Sequence, residues 1–208
     1  MTRPKKNEQQ ILEMREKILD AALEILNEKG PNGLSSRGIA ERLGIAHMTL
    51  FTYFANRDAL LLALSEREMA KIHAQQEIFE QRAKTEDISL IMEEALLFFP
   101  EFEKKNPNVY HIAWVTVLEG RANPENLLPR TAMNIQHFTR LIQIGIDQGI
   151  FEERNPSLAA ASVFSMINTP LILWHSGRIP SESIRDQMVQ EMLTAAMRYL
   201  KKLPNPGA

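Results

Sequence analysis

Hydrophobic residues recur every three or four positions through most of the chain, and this spacing predicts helices. The first helical segment, about residues 8–30, has its apolar positions at Ile18, Leu19, Ala22, Ile25 and Leu26. Asn7 and Gln10 can form a capping box at its start, and Gly30 followed by Pro31 can stop it. No segment alternates apolar and polar residues in the way that strands do. The sequence therefore predicts an all-α fold of about nine helices.

Three more helices are predicted before residue 85. A short helix over residues 35–43 begins at one of two serines and is broken by Gly44. A third helix covers residues 46–54. Asn56 can cap a fourth and longer helix over residues 57–84. The small N-terminal unit made in this way differs in composition from the larger apolar region that follows, and the fourth helix bridges the two.

Asparagine, proline and glycine mark the predicted starts and ends of helices in the rest of the chain. Three Asn-Pro pairs suit helix starts, at 106–107, 123–124 and 155–156. Glycines near the expected helix ends are Gly120, Gly149 and Gly177. Ser181 opens a last helix that Pro204 ends. Three prolines inside apolar segments are expected to kink or divide helices, namely Pro100, Pro129 and Pro170.

Composition excludes several classes of protein. The 208 residues contain no cysteine, so neither disulfides nor thiolate chemistry are available, and a cytoplasmic protein is expected. The N-terminus lacks the apolar core of a signal peptide. No apolar run looks long and uninterrupted enough to cross a membrane, and residues 158–174 are interpreted as a buried helix because they contain Asn168 and Pro170.

Net charge alone does not identify a partner. The formal net charge is −2, which argues against a uniformly basic nucleic-acid binder. Residues 1–60 hold 9 Lys or Arg and 8 Asp or Glu, whereas the remainder hold 15 and 18. The first part is thus slightly positive and the rest slightly negative, an asymmetry too weak to decide function.

Residues 35–54 have the pattern of a helix-turn-helix. Ala40 is small enough for two helices to approach closely, and Gly44 can take the positive φ that the turn needs. Inward positions are predicted at Ile39, Leu43, Ile45, Leu50 and Phe54. This geometry would project the second helix outward, where it could enter a DNA major groove. The remaining arcs form a predicted exposed face of His47, Met48, Thr49, Phe51, Thr52 and Tyr53.

The segment "GLSSRGIAERLGIAHMTLFTYFANRDALLLAL", residues 33–64, resembles the N-terminal domain of TetR-family transcriptional regulators. The resemblance covers an ordered pattern: a hydroxyl cap, Arg, Ile-Ala, Leu-Gly, Thr-Leu-aromatic, aromatic-Phe and a basic residue that opens a long helix. It implies a DNA-binding domain at residues 10–70 and an effector-binding and dimerisation domain at residues 71–208.

The resemblance also implies roles for individual residues. Ser36 and Arg57 would bind phosphate, and Arg37 would reach a base edge or a phosphate. Bases would be faced by His47, Met48 and Thr49, with Met48 against a thymine methyl group. The remaining implied DNA contacts are Phe51, Thr52 and Tyr53. Two departures from the family pattern matter: Ala46 replaces a serine cap, and Phe51 replaces a tyrosine whose hydroxyl binds phosphate.

The C-terminal region is expected to bind a small apolar or amphipathic effector. The candidate pocket residues are Phe102, Tyr110, His111, Trp114, His137, Phe138 and Trp174. Some of these aromatic residues are expected to be ordinary core. No tight spacing of histidines and carboxylates indicates a metal, and no cofactor is expected.

The last two helices are predicted to pair with those of a second copy. The helix over residues 158–174 is apolar nearly all round, and the last helix carries a stripe at Ile184, Met188, Met192, Ala195 and Tyr199. Alternatively, the chain's own core covers both. A two-fold dimer would bind a near-palindromic operator with its recognition helices about 34 Å apart.

Three functions remain to be weighed. The preferred hypothesis is a DNA-binding transcriptional regulator, a repressor released from its operator by the effector. The first alternative is a helical ligand-binding or scaffold protein without sequence-specific DNA binding. An all-helical enzyme is disfavoured because the sequence has no nucleophile motif, phosphate-binding loop or dinucleotide fingerprint.

Overall fold

The computed structural model describes the backbone of residues 7–116 and 124–202, and the side chains of these residues except 124–133. Within those ranges the fold is all-α, as predicted, with nine α-helices, a π-helix and no strand. The α-helices are α1 Glu8–Gly33, α2 Ser36–Leu43, α3 His47–Leu50, α4 Arg57–Arg82, α5 Ile88–Lys105, α6 Pro107–Tyr110, α7 Pro124–Asp147, α8 Pro156–His175 and α9 Glu182–Leu200. The π-helix spans His111–Val115.

The described residues form two compact units. The head unit comprises residues 7–69 and 108–116, and the C-terminal unit comprises residues 70–107 and 124–202. Helix α4 therefore belongs to both. The short segment 108–116 joins the head unit by tertiary contact: the Asn108 side chain donates to the Leu26 carbonyl at 3.0 Å. Sequence spacing gave no signal for this contact because the two residues lie far apart along the chain.

Helix α1 begins and bends where its sequence predicts. The Asn7 side chain accepts from the Gln10 amide at 2.7 Å, and the Gln10 side chain accepts from the Asn7 amide at 3.2 Å. Gly30 adopts φ 70°, which breaks the regular helix, and a last turn follows from Pro31. The predicted apolar positions of this helix are all buried.

Helices α2 and α3 form the predicted turn, but α3 is shorter than expected. Gly44 adopts φ 62° and ψ 31°, the left-handed conformation that its position requires. Helix α3 ends at Leu50 rather than near Phe54, and hydrogen-bonded turns continue the chain. The Tyr53 amide donates to Leu50 at 3.0 Å across three residues instead of four, so the last turn tightens.

The capping predictions hold for most of the described helices. The Asn56 side chain accepts from the Ala59 amide at 2.7 Å, Asn155 caps α8 at 3.1 Å, and Ser181 caps α9 at 3.3 Å. Gly149 and Gly177 both have φ 70°, as helix ends often require. Three predictions, those for Gly120, Asn123 and Pro204, fall outside the described residues.

The internal prolines do not divide their helices, and the kinks that the sequence predicts as the alternative stay a prediction. Pro100 lies inside α5, Pro129 inside α7 and Pro170 inside α8. Pro100 and Pro170 are buried, and α5 and α8 pack on each other and on α9. Tertiary packing therefore compensates for the backbone hydrogen bond that each proline removes.

Aromatic rings form the centre of the C-terminal unit. Phe99 lies between Phe138 and Phe164, with ring centroids 6.0 and 5.3 Å away. Gly145 allows a close approach at the edge of this core, since a Cβ there would lie 2.1 Å from the Phe151 ring. Helix α8 is long and apolar enough to cross a membrane by length and composition, so the sequence-based exclusion was too strong. Core helices meet the same criterion, and α8 packs against α5, α7 and α9.

Candidate nucleic-acid interface

The helix-turn-helix is held by contacts that separate two adjacent serines. Ser35 is the cap of α2, because its hydroxyl accepts from the Gly38 amide at 3.1 Å. The hydroxyl of Ser36 instead lies 2.9 Å from Nε2 of His47, at the start of α3. The sequence left open which serine is the cap. Because Ser35 is the cap, the Ser36 hydroxyl is available for a different contact.

The position of each residue around the helix separates buried from exposed side chains in residues 47–54 largely as predicted. Leu50 and Phe54 are buried, whereas Met48 is 71% exposed and Thr52 is exposed. Thr49 and Phe51 are half-buried. The prediction is wrong for one residue.

Tyr53 was placed on the exposed face, but only 7% of it is accessible. Tyr53 follows the buried Leu50 by three residues, so helical spacing places it beside the buried face, and the tightened turn after α3 brings it closer to that face. Its carbonyl accepts a hydrogen bond from Arg15, whose guanidinium also lies 4.2 Å over the ring of Phe54. No local pattern could have identified Arg15 as a stabilising residue of this turn.

The start of α3 carries no side-chain cap, as the alanine at position 46 predicted. Other contacts stabilise it. His47 packs edge-on against Phe51, with ring centroids 5.0 Å apart and planes at 87°. The Thr52 hydroxyl donates to the Thr49 carbonyl at 2.7 Å and closes the following turn.

Two of the basic residues near the helix-turn-helix already contact protein groups. Arg42 binds Glu28 through two nitrogens, at 2.8 and 2.6 Å, and Glu24 at 3.3 Å. The hydrogen bond from Arg42 lowers the pKa of Glu28. Arg57, predicted to bind phosphate, donates to the carbonyls of Leu34 at 3.2 Å and Pro31 at 3.1 Å.

Arg37 differs from both of these arginines. It is exposed at the start of α2, and no hydrogen bond or ion pair to it occurs among residues 7–116 and 124–202. A guanidinium in that state can donate to phosphate or to a base edge without first breaking a protein contact. Of the three arginines in residues 37–57, Arg37 is therefore the best suited to bind DNA.

Residues 18–64 match the model of the family described as bacterial regulatory proteins, tetR family. The tetracycline repressor protein class D of Escherichia coli is 48% identical over 59 residues. That match covers 28% of this chain and only 27% of the repressor. Residues 18–64 therefore form a domain of the TetR family.

Two longer matches cover most of the chain at lower identity. The fatty acid metabolism regulator protein of Bacillus subtilis is 25% identical over 166 residues, covering 76% of this chain and 81% of that protein. A TetR-family regulator from Pectobacterium atrosepticum has the same fold, with a TM-score of 0.74, 18% identity, and coverage of 96% of this chain and 100% of that one.

The seven predicted effector residues do not all lie in one compact unit. Tyr110, His111 and Trp114 belong to the head unit, where the Tyr110 and Trp114 rings stack at 4.8 Å. The other four, Phe102, His137, Phe138 and Trp174, belong to the C-terminal unit. A single pocket formed by all seven stays a prediction.

Two of the predicted pocket residues, His137 and Phe138, have other roles in the C-terminal unit. His137 binds Glu80, which also accepts from Arg140 at 2.7 Å. Burial opposes ionisation of Glu80, but the hydrogen bonds from Arg140 and His137 prevail and lower its pKa. Phe138 is core, as the alternative interpretation expected for some of these aromatics.

Trp174 lines a cleft of about 320 Å³ in the C-terminal unit. The guanidinium of Arg185 lies 5.4 Å from the centroid of its indole ring. Arg185 also lies 3.2 Å from Glu103, which binds His175 at 2.7 Å, and all three side chains are at least nine-tenths buried. The cleft therefore combines one aromatic surface with a buried ion cluster, a mixture that the sequence did not predict.

Proposed function

We propose that the chain is a DNA-binding transcriptional regulator, with a DNA-binding domain at residues 10–70 and an effector-binding and dimerisation domain at residues 71–208. The observation that carries the proposal is the exposed face of α3. It presents Met48 and Thr49 beside an uncommitted Arg37, within the segment that is 48% identical to a tetracycline repressor. Repression follows from that similarity, and the place of action is the cytoplasm, where the DNA lies.

The groups on this face suit a major groove. Met48 supplies an exposed apolar side chain that can contact a thymine methyl group. Arg37 can donate to a base edge or to phosphate, and the hydroxyls of Thr49 and Thr52 can contact the backbone. Because Arg57 binds two carbonyls, its first role is to hold the chain between α1 and α4, and any phosphate contact would come in addition.

A homodimer through α8 and α9 is the proposed assembly. The residues that the structure describes cover the stripe predicted on α9 only in part: Ile184 is 41% exposed, Ala195 is exposed, and Met188, Met192 and Tyr199 are half-buried. Helix α9 buries a different face, formed by Arg185, Val189, Ala196, Met197 and Leu200. Leu158 of α8 is 66% exposed. An unpartnered apolar surface on two neighbouring helices favours pairing with a second copy.

Effector control is proposed to act through α4, which contributes residues to both units. A small apolar or amphipathic molecule bound by the C-terminal domain would favour a state with low affinity for the operator. A coupling free energy of about 1–3 kcal/mol gives a roughly 5- to 150-fold change in DNA affinity. The regulator named for fatty acid metabolism among the relatives is compatible with an apolar effector.

Titration of the dimer with the DNA upstream of its own gene tests the proposal. We expect sequence-selective binding that weakens as salt rises, because phosphate contacts release counterions. Arg37→Ala and Thr49→Ala should each weaken operator binding, while Leu90→Ala, at an exposed position of α5, should not. Equal affinity for scrambled DNA at moderate salt would refute sequence-specific regulation. A strict monomer at micromolar concentration in light scattering would refute the proposed assembly.

A further inference from the structure

The hydrogen bond between Ser36 and His47 connects a predicted phosphate-binding group to a predicted base-contacting group. Ser36 Oγ and His47 Nε2 lie 2.9 Å apart, and which atom donates depends on the tautomer of the ring. Ser35 already caps α2, so the Ser36 hydroxyl has no competing role at the helix start. The contact therefore occupies Nε2 and leaves the second ring nitrogen, Nδ1, for another partner.

The plane of the His47 ring is fixed as well. Phe51 holds it in an edge-to-face contact, at 5.0 Å and 87°, one helical turn further along the chain. An aromatic ring without a hydroxyl is sufficient for this contact. Phe51, which stands where the family usually has tyrosine, thus supports the His47 ring rather than binding phosphate.

We propose that Ser36 is a positioning residue that sets which hydrogen-bond partner His47 recognises in the major groove. This inference rests on the proposed DNA-binding function. A serine hydroxyl has one hydrogen to donate and can also accept. When that hydrogen goes to a DNA phosphate, the oxygen must accept from His47, so Nε2 carries the ring proton.

The tautomer then decides the base. In a neutral imidazole with its proton on Nε2, Nδ1 is an acceptor. In the major groove its matching donors are the exocyclic amino groups of adenine and cytosine, whereas guanine and the thymine carbonyl offer only acceptors. The relay from phosphate through Ser36 to His47 therefore selects adenine or cytosine at the base that His47 contacts. Without the serine hydroxyl, either tautomer is available and the selection disappears.

Selection from a library of randomised duplexes with the full-length protein tests this relay. His47→Ala should lose its preference at one base pair in each half-site and so identify the contacted pair. At that pair, replacing adenine by purine, or cytosine by pyrimidinone, removes only the amino group. The wild-type protein should lose about twofold to tenfold in affinity, the usual worth of one hydrogen bond, and Ser36→Ala should be indifferent to the replacement.

Two further variants separate positioning from simple phosphate binding. Ser36→Thr keeps a hydroxyl and should restore sensitivity to the missing amino group. Ser89→Ala removes a hydroxyl from α5 in the C-terminal unit and should leave that sensitivity unchanged. If Ser36→Ala weakens all duplexes equally and keeps the wild-type sensitivity, Ser36 binds phosphate only and the relay is refuted. A wild-type contact that needs a guanine acceptor would also refute it. If the wild-type protein enriches no sequence at all, the proposed DNA-binding function itself fails.

Discussion

The head unit and the C-terminal unit place their polar side chains in opposite ways. In the head, most polar residues cap helices or lie on the surface, and their partners are often three or four residues away. In the C-terminal unit, Glu103 is buried with two partners, His175 and Arg185, that lie 72 and 82 residues away along the chain. The first arrangement follows from local sequence, whereas the second exists only after the chain has folded.

The buried cluster around Glu103 should give the largest effect that separates the two units. Glu103→Ala removes one of two carboxylates that pair with Arg185, whose side chain is 4% exposed, and leaves Asp186 at 3.0 Å. Removing one partner of a buried pair costs about 3–5 kcal/mol because the remaining charge stays desolvated, and the remaining contact with Asp186 places the expected loss at the lower end, about 3 kcal/mol. Equilibrium unfolding in urea should therefore show a loss of this size in the free energy of unfolding.

Lys104→Ala is the matched control for that measurement. Lys104 is the next residue on α5 and pairs with Asp186 at 2.8 Å, but both side chains are about half exposed. An exposed pair contributes about 0–1 kcal/mol. If the two variants lose similar stability, the buried cluster contributes no more to folding than an exposed ion pair does.

Arginines 37 and 57 provide an intermediate effect within the head unit. Arg57→Ala loses two hydrogen bonds to carbonyls and should lower the free energy of unfolding by about 1–2 kcal/mol. Arg37→Ala removes no described contact and should change it by less than about 0.5 kcal/mol, while operator affinity falls. Thermal unfolding together with fluorescence anisotropy on labelled DNA measures both quantities. Unchanged stability in Arg57→Ala would mean that its contacts with the two carbonyls do not stabilise the fold, and phosphate binding would then be its expected role.

The same contrast explains what the sequence could predict. The all-α fold, the turn at Gly44 and the inward positions of Leu50 and Phe54 follow from spacing and from one residue's backbone freedom. The burial of Tyr53 also fits this spacing, since Tyr53 follows Leu50 by three residues, but the hydrogen bond from Arg15 to its carbonyl does not, because Arg15 lies on another helix. Local spacing thus decides which residues face the core, and folding decides which distant residues contact them.

The candidate sites differ in the same respect. Ser36, His47 and Phe51 were each predicted from an ordered local motif, yet their mutual contacts appear only once α2 and α3 have packed. The predicted effector residues had no such motif. Their assignment relied on aromatic character alone, and folding places Tyr110 with the head unit and Phe138 in the core.

The smallest expected effect concerns pH and compares Glu80 with Glu86. Both carboxylates bind an arginine, and hydrogen bonds lower the pKa of each, but Glu80 has 16% of its side chain exposed and Glu86 has 47%. A carboxyl group whose pKa is lower in the folded state stabilises the fold above its unfolded value of about 4.3 and loses that contribution as pH falls through the folded value.

Glu80→Gln should therefore be less stable than the wild type by about 1 kcal/mol at pH 6, and the gap should narrow as pH falls below about 4. Glu86→Gln should differ from the wild type by less than Glu80→Gln does at every pH, and added salt should reduce the difference further, since its pair is exposed. Urea titrations across this pH range measure both gaps. A gap for Glu80 that stays constant to pH 3 would mean that its ionised form contributes nothing to stability, and the cluster of Glu80, His137 and Arg140 would then act through packing alone.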